Sequence, residues 1–308
     1  MRASTSIETA LPPIERPWRQ AFLMLWHDKF ALIAAIWVVI VALCALFGPA
    51  LLEDVATKMN LRGRNAPPFN LDHGWLYALG ADALGRSILA RIIVAAQNTL
   101  AIAAAAVAVA MLIGGTLGLV AGYRGGWLGE VIMRFADIIM SFPSLLLAVV
   151  VLYMFEPQVA NLVLVLAFTR IPVYLRTTRA EVLEIRERMF VSAARVMGAG
   201  SLRIALRHVA PIVLPTLITV ATLDFAFVML AESALSFLGI GIQPPEITWG
   251  LMVAQGRNYL SVAWWLAFWP GLAIMLMTMA LNLLSSWVRI ATDPMQRWRL
   301  EVPAHGDG

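Results

Sequence analysis

A chain of 308 residues that is 60% hydrophobic and only 14% charged, with a mean hydropathy of +0.78, has the composition of an integral membrane protein, since a soluble domain carries about a quarter charged residues. The net charge of +4 does not point to nucleic acid, because Lys and Arg stand between apolar runs and form no continuous basic face. The single cysteine, Cys44, lies inside an apolar run, which excludes an intrachain disulfide and a thiolate metal cluster.

Residues 1–29 are polar, with Pro12, Pro13 and Pro17 near the start and Arg16, Arg19 and Lys29 ahead of the first apolar run. They read as a flexible arm followed by a surface helix from about Pro17. Residues 30–52 carry no charge and, at about 1.5 Å per residue, are long enough to cross a hydrocarbon core of about 30 Å. That run is too long for a signal-peptide core and is expected to be retained. Residues 53–91, with Pro67, Pro68 and several charges, cannot span and are expected to form an outer loop. A core of five further spans is expected over 92–288. The uncharged run 92–123 is the second span, and its Gly114, Gly115 and Gly118 suit close helix contact. After a short loop with Arg124, Gly125 and Gly126, a third span is expected over 131–155, with Asp137 as a cap or anchor at its start and Pro143 within it. A fourth is expected over 158–175, ending near Arg170 and Pro172.

The segment 176–211 reads RTTRAEVLEIRERMFVSAARVMGAGSLRIALRHVAP. Val182, Ile185, Met189, Ala193 and Val196 recur three and four residues apart, which places them on one helical stripe. Gly198 and Gly200 break that helix. Ser201 is a good cap for a second, shorter helix with Leu202, Ala205, Leu206 and Val209 as its apolar set, and Pro211 is expected to end it. A pair of this polarity cannot lie in lipid, yet it has too much apolar surface for a loose loop. Two readings stay open from the pattern: a docking surface for another protein, or an amphipathic element whose eight Arg residues between Arg170 and Arg207 are drawn to anionic lipid. Beyond it, a fifth span is expected from Ile212 to about Leu238, a loop over 239–259, a sixth span over 260–288 and a short polar tail from 289. The predicted fold class is an all-α integral membrane protein with six transmembrane helices.

Six spans put both termini on one side. That side, with the loop around Arg124, Arg170 near the end of the fourth span and the 176–211 segment, holds 17 of the Lys and Arg residues against six on the other, so the positive-inside rule makes it cytoplasmic. Five of the six outer charges fall in one loop of about 40 residues, a length at which the rule weakens. Trp264, Trp265 and Trp269 cluster where the sixth span should meet the outer interface.

The only lysines are Lys29 and Lys58 and neither follows a glycine, so the chain has no P-loop with which to bind ATP. His27, His73, His208 and His305 are scattered, without the paired spacing of a catalytic metal site. No cluster of nucleophile, base or ligands stands at one depth; a transport subunit is expected, without catalytic residues or a cofactor of its own. Intramembrane carboxylates remain. Asp224 falls near mid-depth, where an ionised Asp costs roughly 2.5 to 3.5 kcal/mol on insertion scales. It reads either as a cavity group meeting a cationic part of a solute or as an interhelical hydrogen-bonding group. Glu232, the second candidate of the translocation cavity, lies nearer the outer edge and reads first as structural.

Several stretches together resemble the inner-membrane permease subunits of ABC importers for dipeptides, oligopeptides and nickel, and more narrowly the C-type subunit of each permease pair, over nearly the whole chain from about Pro17 to Arg297. The signature of ABC importer permeases is E-A-A, three residues, Gly, nine residues, I-x-L-P. Here Ser192, Ala193 and Ala194 are followed by Gly198 and, at the last position, Pro211; Ser192 stands for the Glu, His208 for the Ile and Ala210 for the Leu. LGADALGRSILAR from Leu79 to Arg91 resembles the outer L-G-T-D-x-x-G-R-D segment, with Ser87 where Asp is usual. RFADIIMSFPSLLL from Arg134, ESALSFLGIGIQPPEITWG from Glu232 and WWLAFWPGLAIMLMTMALNLLSSWVRIATDP from Trp264 resemble further stretches of the same branch, which has a small residue where this chain has Asp224.

The resemblance implies a type I ABC importer permease with a cytoplasmic coupling helix. Met189, Ser192, Ala193, Ala194, Arg195, Gly198 and Pro211 would couple to ATPase subunits. Asp82, Arg86, Gln243, Pro244 and Pro245 would meet a periplasmic or lipid-anchored solute-binding protein. It further implies a second permease subunit and two cytoplasmic ATPase subunits that bind the ATP, in a bacterial inner membrane, with di- or oligopeptides, nickel or another small solute as cargo. A self-sufficient secondary transporter, with Asp224 as a proton or cation site, is the rival from another class.

Overall fold

The computed structural model describes residues 24–70, 74–155 and 158–292; most of the expected N-terminal arm and the tail beyond 292 lie outside them. Among the described residues the chain is built of helices, with one isolated bridge between Ala81 and Ser87. In chain order they are α1 (Lys29–Thr57), α2 (Ile88–Arg124), α3 (Gly126–Met140), α4 (Ser144–Tyr153), α5 (Val159–Ile185), α6 (Met189–Val196), α7 (Ser201–Ile204), α8 (Ala210–Phe237), α9 (Trp249–Gly256) and α10 (Trp265–Thr292). Single turns lie at Leu61–Gly63, Trp75–Tyr77 and Arg257–Tyr259.

The helices overrun the apolar runs that announce them. α1 starts where the Asp28 carboxylate accepts from the Phe30 and Ala31 amides, both at 3.1 Å, and continues through Glu53 and Asp54 to Thr57. α2 starts at Ile88 rather than 92, because Ser87 caps it by accepting from the Ala90 amide at 3.1 Å. α5 runs unbroken through Arg170, Pro172 and Arg176 to Ile185 instead of ending at 175. Hydropathy marks where lipid stops, whereas the hydrogen-bond ladder stops only where a cap or a turn interrupts it.

Among the described residues, five helices are long and apolar enough to cross a membrane; the third span, expected as one piece over 131–155, is instead the pair α3 and α4, bent by 85° at Ser141–Pro143. Pro143 lacks the amide that would continue α3 and sits at the N-cap of α4 with extended ψ. The pair still has to carry the chain back across. A Cβ on Gly114 would stand 2.6 Å from the Ile171 carbonyl, one on Gly118 2.6 Å from that of Leu175, and one on Gly122 2.8 Å from Val182. Contacts that advance together along both helices mean that α2 and α5 run parallel, so α3 and α4 between them return to the side from which α5 starts, giving six crossings. Glycines at this spacing allow the backbone approach that drives helix association in lipid. Gly115 is not part of that seam; its nearest neighbour is Leu217 of α8.

Pro211 does not end a helix. The turn Ala205–Val209 is a π-helix, in which the Ala210 amide reaches back to the Ala205 carbonyl, and Pro211 then occupies the first turn of α8, where a missing donor costs little. α7, the π turn and α8 thus form one rod from Ser201 to Phe237. Ser201 is its first helical residue; the cap position falls to Gly200, with no side-chain bond. The expected loop 239–259 contains α9, and α10 starts at Trp265 rather than 260. α6 and the 125 and 186–200 turns gather at one end of the bundle, the 58–70, 74–87 and 239–264 segments at the other.

Candidate functional site

At the α6 end, α5 stops because the chain turns out of it. The Arg186 guanidinium reaches the Gly122 carbonyl at the end of α2 (2.9 Å), and Arg188 takes extended backbone (φ −72°, ψ 147°) as the N-cap of α6. The stripe expected to run from Val182 to Val196 on one helix is therefore split. Val182 and Ile185 are buried at the foot of α5, whereas Met189 and Val196 are each 89% exposed. Within α6 the buried residues are Val191 and Ala194, three apart, which join Ile204 and Val209 in the core. Ala194 thus faces the chain's own interior. The outward ridge is Met189, Ser192, Ala193, Arg195 and Val196, extended by Met197 and Gly198. Gly198, at φ +83°, closes the helix as a Schellman motif: the Ala199 amide bonds to the Ala194 carbonyl and the Gly198 amide to that of Arg195, both at 3.0 Å. The ridge is mostly apolar, with Ser192 and Arg195 as its polar members, exposed and anchored from behind, which suits docking to a partner. Pro211 is exposed on the rod that leads from it into the bundle.

Inside the bundle, Asp224 does not stand free. Both of its oxygens accept from Arg170 on α5, one from Nη2 and the other from Nε at 3.2 Å. The guanidinium also lies over the Phe227 ring, 4.3 Å from its centroid. The carboxylate is thereby neutralised by a guanidinium of its own chain, a partner neither sequence reading of Asp224 contained. Arg170 stands eleven residues into α5, so at about 1.5 Å per residue both charges lie near mid-membrane. Six residues on, Arg176 bonds to Asp137 of α3 at 2.5 Å, with both side chains nearly half exposed. Asp137 therefore ties α3 to α5 rather than capping a span start. Glu232 is fully buried and accepts from Ser236 Oγ at 2.8 Å, where the tip of α8 turns over.

At the opposite end, Asp82 organises its own loop. It accepts from the Leu84 amide (2.9 Å), the Arg86 amide (2.8 Å) and Arg86 Nε (2.7 Å). Arg91, buried in the first turn of α2, lies 3.7 Å from Asp82 and donates to Gln255 of α9 at 3.3 Å. Between these groups opens a cavity of about 470 Å³ lined also by Arg64, Tyr259 and Leu266. Gln243 is folded onto the Gly239 and Gly241 carbonyls (3.1 and 3.3 Å), while Pro244 and Pro245 are exposed. Trp249, which no motif flagged as an anchor, docks α9 on α2: its amide bonds to Thr99 Oγ1 (3.1 Å) and its indole to the Ile92 carbonyl (2.8 Å). Trp265 of the expected interfacial cluster turns inward and donates to the Ala81 carbonyl (3.2 Å).

Six crossings, a mid-membrane ion pair and an exposed knob at one end define a membrane-spanning subunit with a surface suited to a partner. Comparison with known proteins makes that specific. Residues 114–297, more than half of the chain, match the family model described as binding-protein-dependent transport system inner membrane component, and the chain belongs to that family. Residues 16–68 match the N-terminal TM domain of oligopeptide transport permease C. Similar relatives include the di/tripeptide transport system permease protein DppC of Pseudomonas aeruginosa, 38% identical over 92% of each chain, and the dipeptide transport system permease protein DppC of Alkalihalophilus pseudofirmus, 35% identical over 91% of each. The glutathione transport system permease protein GsiD of Pectobacterium atrosepticum is 33% identical over 91% of this chain and 92% of its own. In fold, the chain is similar to one from the MetNI methionine ABC transporter solved in inward-facing conformations, with a TM-score of 0.52 and 18% identity over 64% of this chain and 94% of that one. The chain is a multi-pass inner-membrane permease subunit of an ABC importer.

Proposed function

We propose that this chain is one half of the pathway of an importer for short peptides, with α6 as the handle through which ATPase subunits drive it. Relatives named for di- and tripeptides support the substrate class. The observation that carries the coupling role is the ridge of Met189, Ala193, Val196 and Met197, held outward on a base formed by Val191 and Ala194. An apolar ridge outside the spans has neither lipid nor core to cover it, and a cytoplasmic ATPase supplies the cover. The positive excess at the α6 end supports a cytoplasmic position for it and for both termini. The remaining parts are a sister permease subunit, two ATPase subunits that bind and hydrolyse ATP, and a solute-binding protein that docks at the opposite end near Arg86, Pro244 and Pro245. Closure of the ATPases would move α6 and, through the rod from Ser201 to Phe237, rock the spans between inward and outward openings.

The test is uptake of a labelled dipeptide by vesicles holding the full importer. Uptake is expected only with ATP, the ATPases and the binding protein all present. Peptide uptake by the chain alone, or ATP-driven uptake of another solute with no peptide transport, would overturn the reading.

A further inference from the structure

Arg170 lines a cavity of about 210 Å³ in the elbow between α3 and α4, with Ser144, Thr169 and Val173 among its walls and Phe142 and Leu147 as apolar sides. It is the one ionisable group among the residues that line it. Asp224, which holds the guanidinium from behind, is 5% exposed in its side chain, whereas that of Arg170 keeps 17% open. The polarity is therefore the reverse of what a lone mid-membrane Asp suggests: the cavity presents donors, and the acceptor is already spent. Asp224 engages Nε and Nη2, which leaves the donors on Nη1 unused by that pair. Phe227 covers one face of the guanidinium, so the edge is what it has to offer.

A charged edge open at mid-depth is not tolerated against hydrocarbon and marks a wet face or a partner. A cavity smaller than the roughly 300 Å³ of a typical small-molecule site takes the end of a solute rather than the whole of one. We infer that the elbow cavity is a carboxylate subsite of the translocation pathway, in which Arg170, oriented by Asp224, binds the C-terminal carboxylate of a passing peptide through its free edge, with the Ser144 hydroxyl beside it. The inference rests on the peptide reading above. No bond is made or broken; the contact is a charge-assisted hydrogen bond, made and released as the spans rock.

The test compares uptake of alanyl-alanine with that of its C-terminal amide by the full importer in vesicles, using one binding protein throughout. The ratio of free acid to amide is expected to fall about tenfold or more in the double variant Arg170→Leu, Asp224→Leu, which removes both charges together, and to persist in Arg170→Lys. An unchanged ratio in the double variant overturns the subsite while leaving peptide transport standing. If the wild type carries neither compound, the peptide reading falls and the subsite with it. A second measurement needs no change at Arg170. In a Cys44→Ser background, Ser144→Cys should be protected from a thiol reagent by the dipeptide and not by its amide; equal protection, or none, overturns the inference.

Discussion

Asp224 and Arg170 make one unit, and their substitutions should behave as a pair. Replacing Asp224 with Asn leaves a partly buried guanidinium without its counter-charge; removing one partner of a fully buried pair costs about 3 to 5 kcal/mol, and the opening of Arg170 to the cavity puts the loss at or below the lower end of that range. Removing both charges with Leu should cost much less, because no unpaired charge remains. Thermal unfolding of the purified single and double variants measures the difference, and the single variant is expected to melt lower. Gly198 acts through its backbone alone. Nothing stands within 4 Å of where its Cβ would be, so a substitution meets no clash, only the strain of φ +83°, which costs a side-chain-bearing residue about 1 to 2 kcal/mol. Gly198→Asn is therefore expected to keep coupling close to normal and Gly198→Val to impair it, read as ATP-driven uptake at equal membrane abundance. A defect of the same size in both would instead mean that a partner packs against the glycine.

At the scale of elements, α6 has two faces that substitutions should separate. Charges on the ridge, as in Met189→Asp or Val196→Asp, are expected to abolish co-purification of the ATPase subunits while the permease folds and inserts normally. Ala194→Asp is expected to lower the stability of the permease itself, since Ala194 packs inward with Val191 and Ile204. The seam between α2 and α5 offers another check. A side chain at Gly118 would push against the Leu175 backbone 2.6 Å away, and Gly118→Leu is expected to cost about 3 kcal/mol, the upper end for overpacking. Gly115→Ala, whose Cβ meets the flexible end of Leu217 at 3.3 Å and Thr178 Oγ1 at an ordinary 3.9 Å, should cost far less. Both are readable as the midpoint of thermal unfolding in detergent.

For the whole molecule, the six-crossing topology makes an expectation about sidedness. In the Cys44→Ser background, a cysteine at Arg203 should be labelled by a membrane-impermeant reagent only from inside, and one at Pro245 only from outside; labelling with the opposite sidedness would invert the proposed orientation. Membrane class, the number of apolar runs and the family resemblance were legible in the sequence because they are carried by composition and by contiguous residues: 23 uncharged residues before Glu53, the A-A-x-x-x-G of 193–198, the run from Glu232 to Gly250. Where helices end was not, since Glu53, Arg176 and Pro211 look like stops and the hydrogen-bond ladder passes each of them. Nor did helical period reveal which face of α6 points outward, because the turn at 186–188 resets the phase and moves Met189 and Val196 away from Val182. The seam at Gly122 and the pairing of Asp224 with Arg170 were decided by tertiary structure alone. Each depends on which helix lies alongside, a relation between residues dozens of positions apart that no local pattern of hydrophobicity encodes.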